Sequence, residues 1–91
     1  MAVTVRLPGV LRDAVGGETR IEASGATLAD VFADIDRRHP GFSSRVLDDR
    51  GAIRSYVNVY VGDTDARDSG GLSTAVPEHA EVMVIPAMAG G

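Results

Sequence analysis

The residues with the clearest chemical potential are the last ten, Val82 to Gly91, "VMVIPAMAGG". Glycine loses more conformational freedom on ordering than any other residue, so a terminal pair contributes nothing to packing. With glycine near 7% of residues generally, such a pair arises by chance in roughly one chain in two hundred. Frayed ends are the ordinary reason for terminal glycines. Here, however, only Ala87, Met88 and Ala89 separate Gly90 from an apolar, strand-like run. The expectation is a rigid domain over residues 1–87 that presents a short flexible arm, residues 88–91. Without side chains beyond Cα, Gly90 and Gly91 can enter a channel closed to larger residues. The reactive group is then the α-carboxylate of Gly91. A carboxylate is inert until activated, for example as a mixed anhydride with AMP, after which a nucleophile can take the acyl group.

Other chemistries find little to work with. The absence of cysteine rules out a disulfide framework, a thiolate metal site and a cysteine nucleophile. His39 and His79 are isolated, with no second ligand at metal spacing, so no metal site is expected. "DTDARD" begins like a calcium loop, but Arg67 and Asp68 stand where a ligand and the turn glycine belong, and it reads as an acidic turn. Gly70-Gly71 lacks the flanking pattern of a phosphate cradle, and no serine lies in a nucleophile elbow. No catalytic residues are assigned, and a self-contained enzyme is not expected. The net charge of −4 disfavours a nucleic-acid partner. All nine basic residues are arginine, so no side-chain amine is present for acylation. The start, "MAVTVRLPGVL", lacks the basic region and long apolar stretch of a signal peptide, and no apolar run is long enough to span a bilayer. A soluble, cytoplasmic protein without a membrane partner is expected.

The elements that must position the arm follow from hydrophobic periodicity. "AVTVRL" alternates, with Val3, Val5 and Leu7 on one face, and "ETRIEA" alternates again after a stretch holding Pro8 and Gly16-Gly17. Together they predict a hairpin with a generous loop. Thr27 and Asp30 stand in a capping-box arrangement ahead of a helix whose buried face is Leu28, Val31, Phe32 and Ile35. Arg37, Arg38 and His39 suit the negative end of that helix, and Pro40-Gly41 stops it. "SYVNVYVG" is a strand with its valines on one face and Tyr56, Asn58 and Tyr60 on the other. "LSTAV" gives one short helical turn, "PEHA" a turn, and "EVMVIP" the last strand. The sum is an α+β domain: a mixed sheet of four to five strands with one helix packed across one face. One helix cannot cover both faces. With Val82 and Val84 assigned to the core, Met83 and Ile85 share the outer face with Tyr56, Asn58 and Tyr60, a cluster expected to meet a partner.

The order strand, "LPGVLRDAVGG" loop, strand, capped helix and two further strands, ending in "IPAMAGG", resembles the ThiS/MoaD sulfur-carrier family over essentially the whole chain. Within that family, "YVNVYVGDTDARDSGGLSTAV" with the "PAMAGG" end is similar to CysO-type carriers. The chain departs from the Pro-Pro-Val-Ala-Gly-Gly ending of molybdopterin-synthase small subunits at Ala87 and Met88. It also has "PEHAEV" where many members carry an Asp-Gly-Asp turn. The resemblance implies a ubiquitin-like β-grasp fold and a carrier role. A ubiquitin-activating-enzyme-like adenylyltransferase would activate Gly91 with ATP, and a sulfur donor would convert the adenylate to a thiocarboxylate. Sulfide would then pass to an acceptor enzyme, in cysteine biosynthesis or for a thiolated specialised metabolite such as a thiosugar. Met88, Ala89, Gly90 and Gly91 would enter the partner's active site. The carrier would bind no cofactor of its own and would be monomeric when free. The alternatives are a molybdopterin-synthase small subunit and a ubiquitin-like modifier conjugated to lysines.

Overall fold

The computed structural model describes residues 2–55 and 57–86. A five-stranded mixed sheet has the order β2-β1-β5-β3-β4, formed by β1 (Ala2–Arg6), β2 (Arg20–Ser24), β3 (Val57–Val61), β4 (Thr64–Asp65) and β5 (Glu81–Pro86). β1 and β2 form the antiparallel hairpin, with Val3 opposite Ala23 and Val5 opposite Ile21. β5 inserts between β1 and β3, parallel to β1 and antiparallel to β3. α1 (Leu28–Arg38) lies across one face. It begins where expected: the Thr27 hydroxyl accepts from the Asp30 amide, satisfying one of the orphan donors of the first turn. Its buried stripe is Leu28, Val31, Phe32 and Ile35, which meet the inward residues Val3, Val5, Val59, Val82 and Val84 in one core.

Two features go beyond the sequence expectation. The hairpin loop contains a 3-10 segment, Gly9–Val15, that turns Leu11 and Val15 into the core. A second short helix, α2 (Phe42–Val46), follows Gly41, which takes φ 100°, and buries Phe42 and Val46 completely. The Phe42 ring meets Phe32 edge-on at 5.8 Å and 61°. So α1 is the main cover of the sheet, and α2 closes the core beside it.

The turns hold particular residues in place. Gly25, between β2 and α1, lies so close to the helix that a Cβ would sit 2.6 Å from the Val31 amide nitrogen. Asp65 caps the 3-10 turn Ala66–Asp68 by accepting from the Arg67 amide, so the acidic stretch is held by its own backbone contacts. Gly70 and Gly71 turn with positive φ into the 3-10 turn Gly71–Ser73. His79, in the "PEHAEV" turn, takes φ 68°, a left-handed conformation that glycine adopts without penalty. A strained residue thus sits at an exposed tip just ahead of β5.

Candidate functional site

The segment expected to form the arm follows β5, a strand bonded on both sides, and β5 ends at Pro86 opposite Val57. Met88, Ala89, Gly90 and Gly91 lie outside the described residues, as does Tyr56. The anchor of the arm is thus fixed by two ladders of backbone hydrogen bonds. From that anchor, the five residues 87–91 span at most about 18 Å when fully extended. Any active site that receives the terminal carboxylate must open within that reach of the domain.

The alternation of β5 divides its side chains cleanly. Val82 and Val84 face α1 and are 0% and 2% exposed, whereas Met83 and Ile85 are half-buried on the opposite face. Pairing with β3 places Met83 opposite Tyr60 and Ile85 opposite Asn58. The described members of the sequence-derived cluster, Asn58, Tyr60, Met83 and Ile85, therefore share one surface. Pairing with β1 adds Arg6 beside Met83. Arg6, Leu7, Pro8, Met83, Val84 and Ile85 line an open groove of about 300 Å³. The half-buried Met83 and Ile85 thus lie on this face with the polar side chains of Asn58, Tyr60 and Arg6.

Asn58 is less available than its exposure in sequence suggested. Arg67 donates to its side-chain carbonyl at 2.7 Å and to the carbonyls of Arg54 and Val57 at 2.7 and 2.6 Å. One guanidinium thus ties the turn after β4 to the start of β3, beside the end of β5. Sequence reasoning did not find this contact, because nothing local relates Arg67 to residues nine to thirteen positions earlier. Arg6 was legible as an outward residue of β1, but its place beside Met83 depends on the parallel β1–β5 pairing. Its ion pair with Glu81 is 3.6 Å long and half-exposed on both sides, so it contributes little to stability.

Among the described residues, no group of three or more histidine or acidic side chains is arranged to hold a metal ion. No helix among them is long and apolar enough to cross a membrane. His39 closes α1, its amide donating to Ile35, and His79 is exposed in its turn.

This sheet order, crossed by one principal helix, defines a ubiquitin-like β-grasp domain. The chain belongs to the ThiS family, whose profile matches residues 5–91. It is 43% identical over 93 residues to the sulfur carrier protein CysO of Mycobacterium tuberculosis, covering 100% of both chains. The crystal structure of M. tuberculosis CysO superposes with a TM-score of 0.91 at 41% identity, covering 94% of this chain and 99% of that one. A chain from the crystal structure of the Amycolatopsis orientalis BexX/CysO complex gives a TM-score of 0.90 at 40% identity, covering 98% and 99%. The small archaeal modifier protein 3 of Haloferax volcanii is 28% identical over 94 residues, covering 100% of both chains. By sequence and by structure the protein is CysO-like.

Proposed function

We propose that the protein is a sulfur carrier that acts through the carboxylate of Gly91. Support comes from the likeness to CysO across the full length of both chains, from a family match that runs to residue 91, and from the central, doubly paired strand that precedes the terminal residues. A ubiquitin-activating-enzyme-like adenylyltransferase docks on the face that carries Asn58, Tyr60, Met83 and Ile85, with Tyr56 as a further proposed contact. Met88, Ala89, Gly90 and Gly91 thread into its active site. There the Gly91 carboxylate attacks the α-phosphate of ATP, pyrophosphate leaves, and an acyl adenylate forms. A donor held by the partner supplies sulfur at the sulfide level, which attacks the acyl carbon; the acyl–phosphate bond breaks, AMP leaves, and the carrier bears a thiocarboxylate. The thiocarboxylate sulfur attacks an electrophilic carbon of the acceptor substrate as that carbon's leaving group departs, and hydrolysis of the resulting thioester restores the Gly91 carboxylate and releases the thiol product. The carrier contributes binding, reach and a transferable acyl end, and the partner enzymes supply the catalytic groups.

The acceptor reaction assigned first is cysteine biosynthesis, followed by thiolation of a specialised metabolite such as a thiosugar. The relation of A. orientalis CysO to BexX shows that a CysO chain of similar fold is found in a complex, which favours a carrier that works docked to another protein. A second reading, a modifier joined to target lysines, draws on the likeness to the archaeal modifier protein. In that case the acyl group of Gly91 ends on a lysine amine. Because this chain has no lysine, it offers no side-chain amine for building chains of itself.

The test is intact-mass analysis of the protein isolated from its own cell, with and without Gly91. The expected product is a chain heavier by one sulfur-for-oxygen exchange, lost on deletion of Gly91, while the melting curve stays unchanged. Sulfur uptake by the shortened chain overturns the mechanism. Recovery of the C-terminus in isopeptide linkage, without thiocarboxylate, selects the modifier reading.

A further inference from the structure

β2 is an edge strand, paired on one side with β1. The opposite edge, β4, has only two residues and is too short to template much pairing. β2 has five, so its free side is the longer hazard. In an antiparallel pair, alternate residues turn their backbone groups toward the neighbour and away from it. Glu22 and Ser24 belong to the outward set, as their hydrogen bonds prove. The Ser24 N–H donates to Asp34 Oδ2 at 3.0 Å, and the Glu22 carbonyl accepts from Arg38 Nη2 at 2.6 Å. Asp34 and Arg38 sit one turn apart on α1 and bond to each other, Nη2 to Oδ2, at 3.1 Å. Arg37 also donates to Asp34, on its other carboxylate oxygen. The two α1 side chains therefore present one acceptor and one donor to residues 22 and 24. Those are the groups that a single residue of an added parallel strand would present.

We propose that the Asp34–Arg38 pair is an edge lock, which occupies the Glu22 carbonyl and the Ser24 amide on the outward side of β2 and so prevents a second copy of this chain from pairing there. A second copy is the occupant that the edge itself favours. An antiparallel, two-fold pairing of β2 with β2 centred on Ile21 sets Arg20 of one copy opposite Glu22 of the other, twice. Cross-strand pairs of opposite charge favour that register. In it, Glu22 must offer both its N–H and its carbonyl to Arg20 of the other copy, and the carbonyl is already held by Arg38. The lock thus acts on the acceptor that this register needs. It lies on the opposite side of the sheet order from β3, so it leaves the docking face and the arm free.

The experiment measures the oligomeric state of the full chain by light scattering from micromolar to millimolar concentration, with amide exchange followed at Glu22. The wild type is expected to be monomeric. The double variant Asp34→Ala/Arg38→Ala is expected to dimerise, with the Glu22 amide becoming protected as the dimer forms. Adding Glu22→Arg sets like charges opposite each other and should weaken the dimer about tenfold. A folded double variant that stays monomeric throughout overturns the proposal. So does a dimer whose Glu22 amide exchanges freely, or a wild type already paired through β2. Should the double variant fail to fold, Arg38→Ala alone decides. It frees the Glu22 carbonyl and leaves Asp34 on Ser24, so association above that of the wild type supports the lock and its absence overturns it.

Discussion

Replacing Ile85 by aspartate separates what the outer face does for stability from what it does for docking. Ile85 is half-buried opposite Asn58, in the central strand that leads to the arm. Full burial of an isoleucine side chain is worth about 3 kcal/mol, so losing half of it costs about 1.5 kcal/mol. The poorer strand propensity of aspartate adds at most about 1 kcal/mol. A total near 2 kcal/mol lies below the 5–15 kcal/mol stability usual for a domain and corresponds to a fall in melting temperature of roughly 8–16 °C. The domain should still fold. One residue earlier, Val84 is 2% exposed beneath α1. A carboxylate there has no partner and no water, and Val84→Asp should yield no folded protein. In an apolar contact with a partner, the aspartate at position 85 should cost 2 kcal/mol or more, about a thirtyfold rise in Kd. Circular-dichroism melting gives the first quantity, and calorimetric titration against the adenylating partner gives the second. A folded Val84→Asp beside an unfolded Ile85→Asp would invert the face assignment. An Ile85→Asp protein binding within threefold of wild type would remove this face from the docking reaction.

Two further outcomes test the framework under the site. Gly25→Ala should lower stability by about 1–3 kcal/mol, because its Cβ would press on the backbone of residues 30 and 31 rather than on a yielding side chain; an unchanged urea midpoint would refute the close approach. Asp34 should contribute to acid sensitivity. The Ser24 amide, and then Arg38 and Arg37, hold its carboxyl below the usual aspartate value of 3.8, against an opposing desolvation. A carboxylate whose pKa is lowered by folding stabilises the native state above its unfolded pKa, and loses that contribution as pH falls through the folded value. Asp34→Asn should therefore be less stable than wild type at pH near 7, with the gap closing as acid is added below about pH 4. Equal gaps in denaturant midpoint at both ends of the range would remove Asp34 from the linkage.

Legibility in the sequence followed the range of the interaction. The α1 stripe and its Thr27 cap are local patterns, and the structure reproduces both. The alternation of β3 and β5 likewise separates Val82 and Val84 from Met83 and Ile85 without knowledge of the partners. α2 escaped because five residues after Pro40-Gly41 are too few to show a period, and its two buried side chains are explained only by Phe32 and the rest of the core. The 3-10 segment Gly9–Val15 escaped for a similar reason, its buried residues Leu11 and Val15 lying within a stretch rich in turn formers. Contacts that join distant segments were silent. Neither Arg67 on Asn58 nor Asp34 on Ser24 leaves a trace in spacing, although Asp34 and Arg38 at i, i+4 do read as an ordinary helical ion pair. The candidate site divides in the same way. Its terminal carboxylate and outward residues could be named from sequence, while the presence of Arg6 beside Met83 required the β1–β5 pairing.

That parallel pairing has a mechanical meaning. β1 opens the chain's path through the sheet and β5 closes it, and the two run side by side with Thr4, Val5 and Arg6 matched to Glu81, Val82 and Met83. Tension between the amino end and the arm therefore pulls the two strands along their lengths in opposite directions. The bonds that join them are strained together, in shear, instead of parting one after another. A partner that gripped and tugged residues 87–91 against a held amino end would load these bonds in shear. Force spectroscopy should find a higher rupture force along this axis than when β1 and β2 are peeled apart from their open ends, and equal forces would contradict the shear geometry.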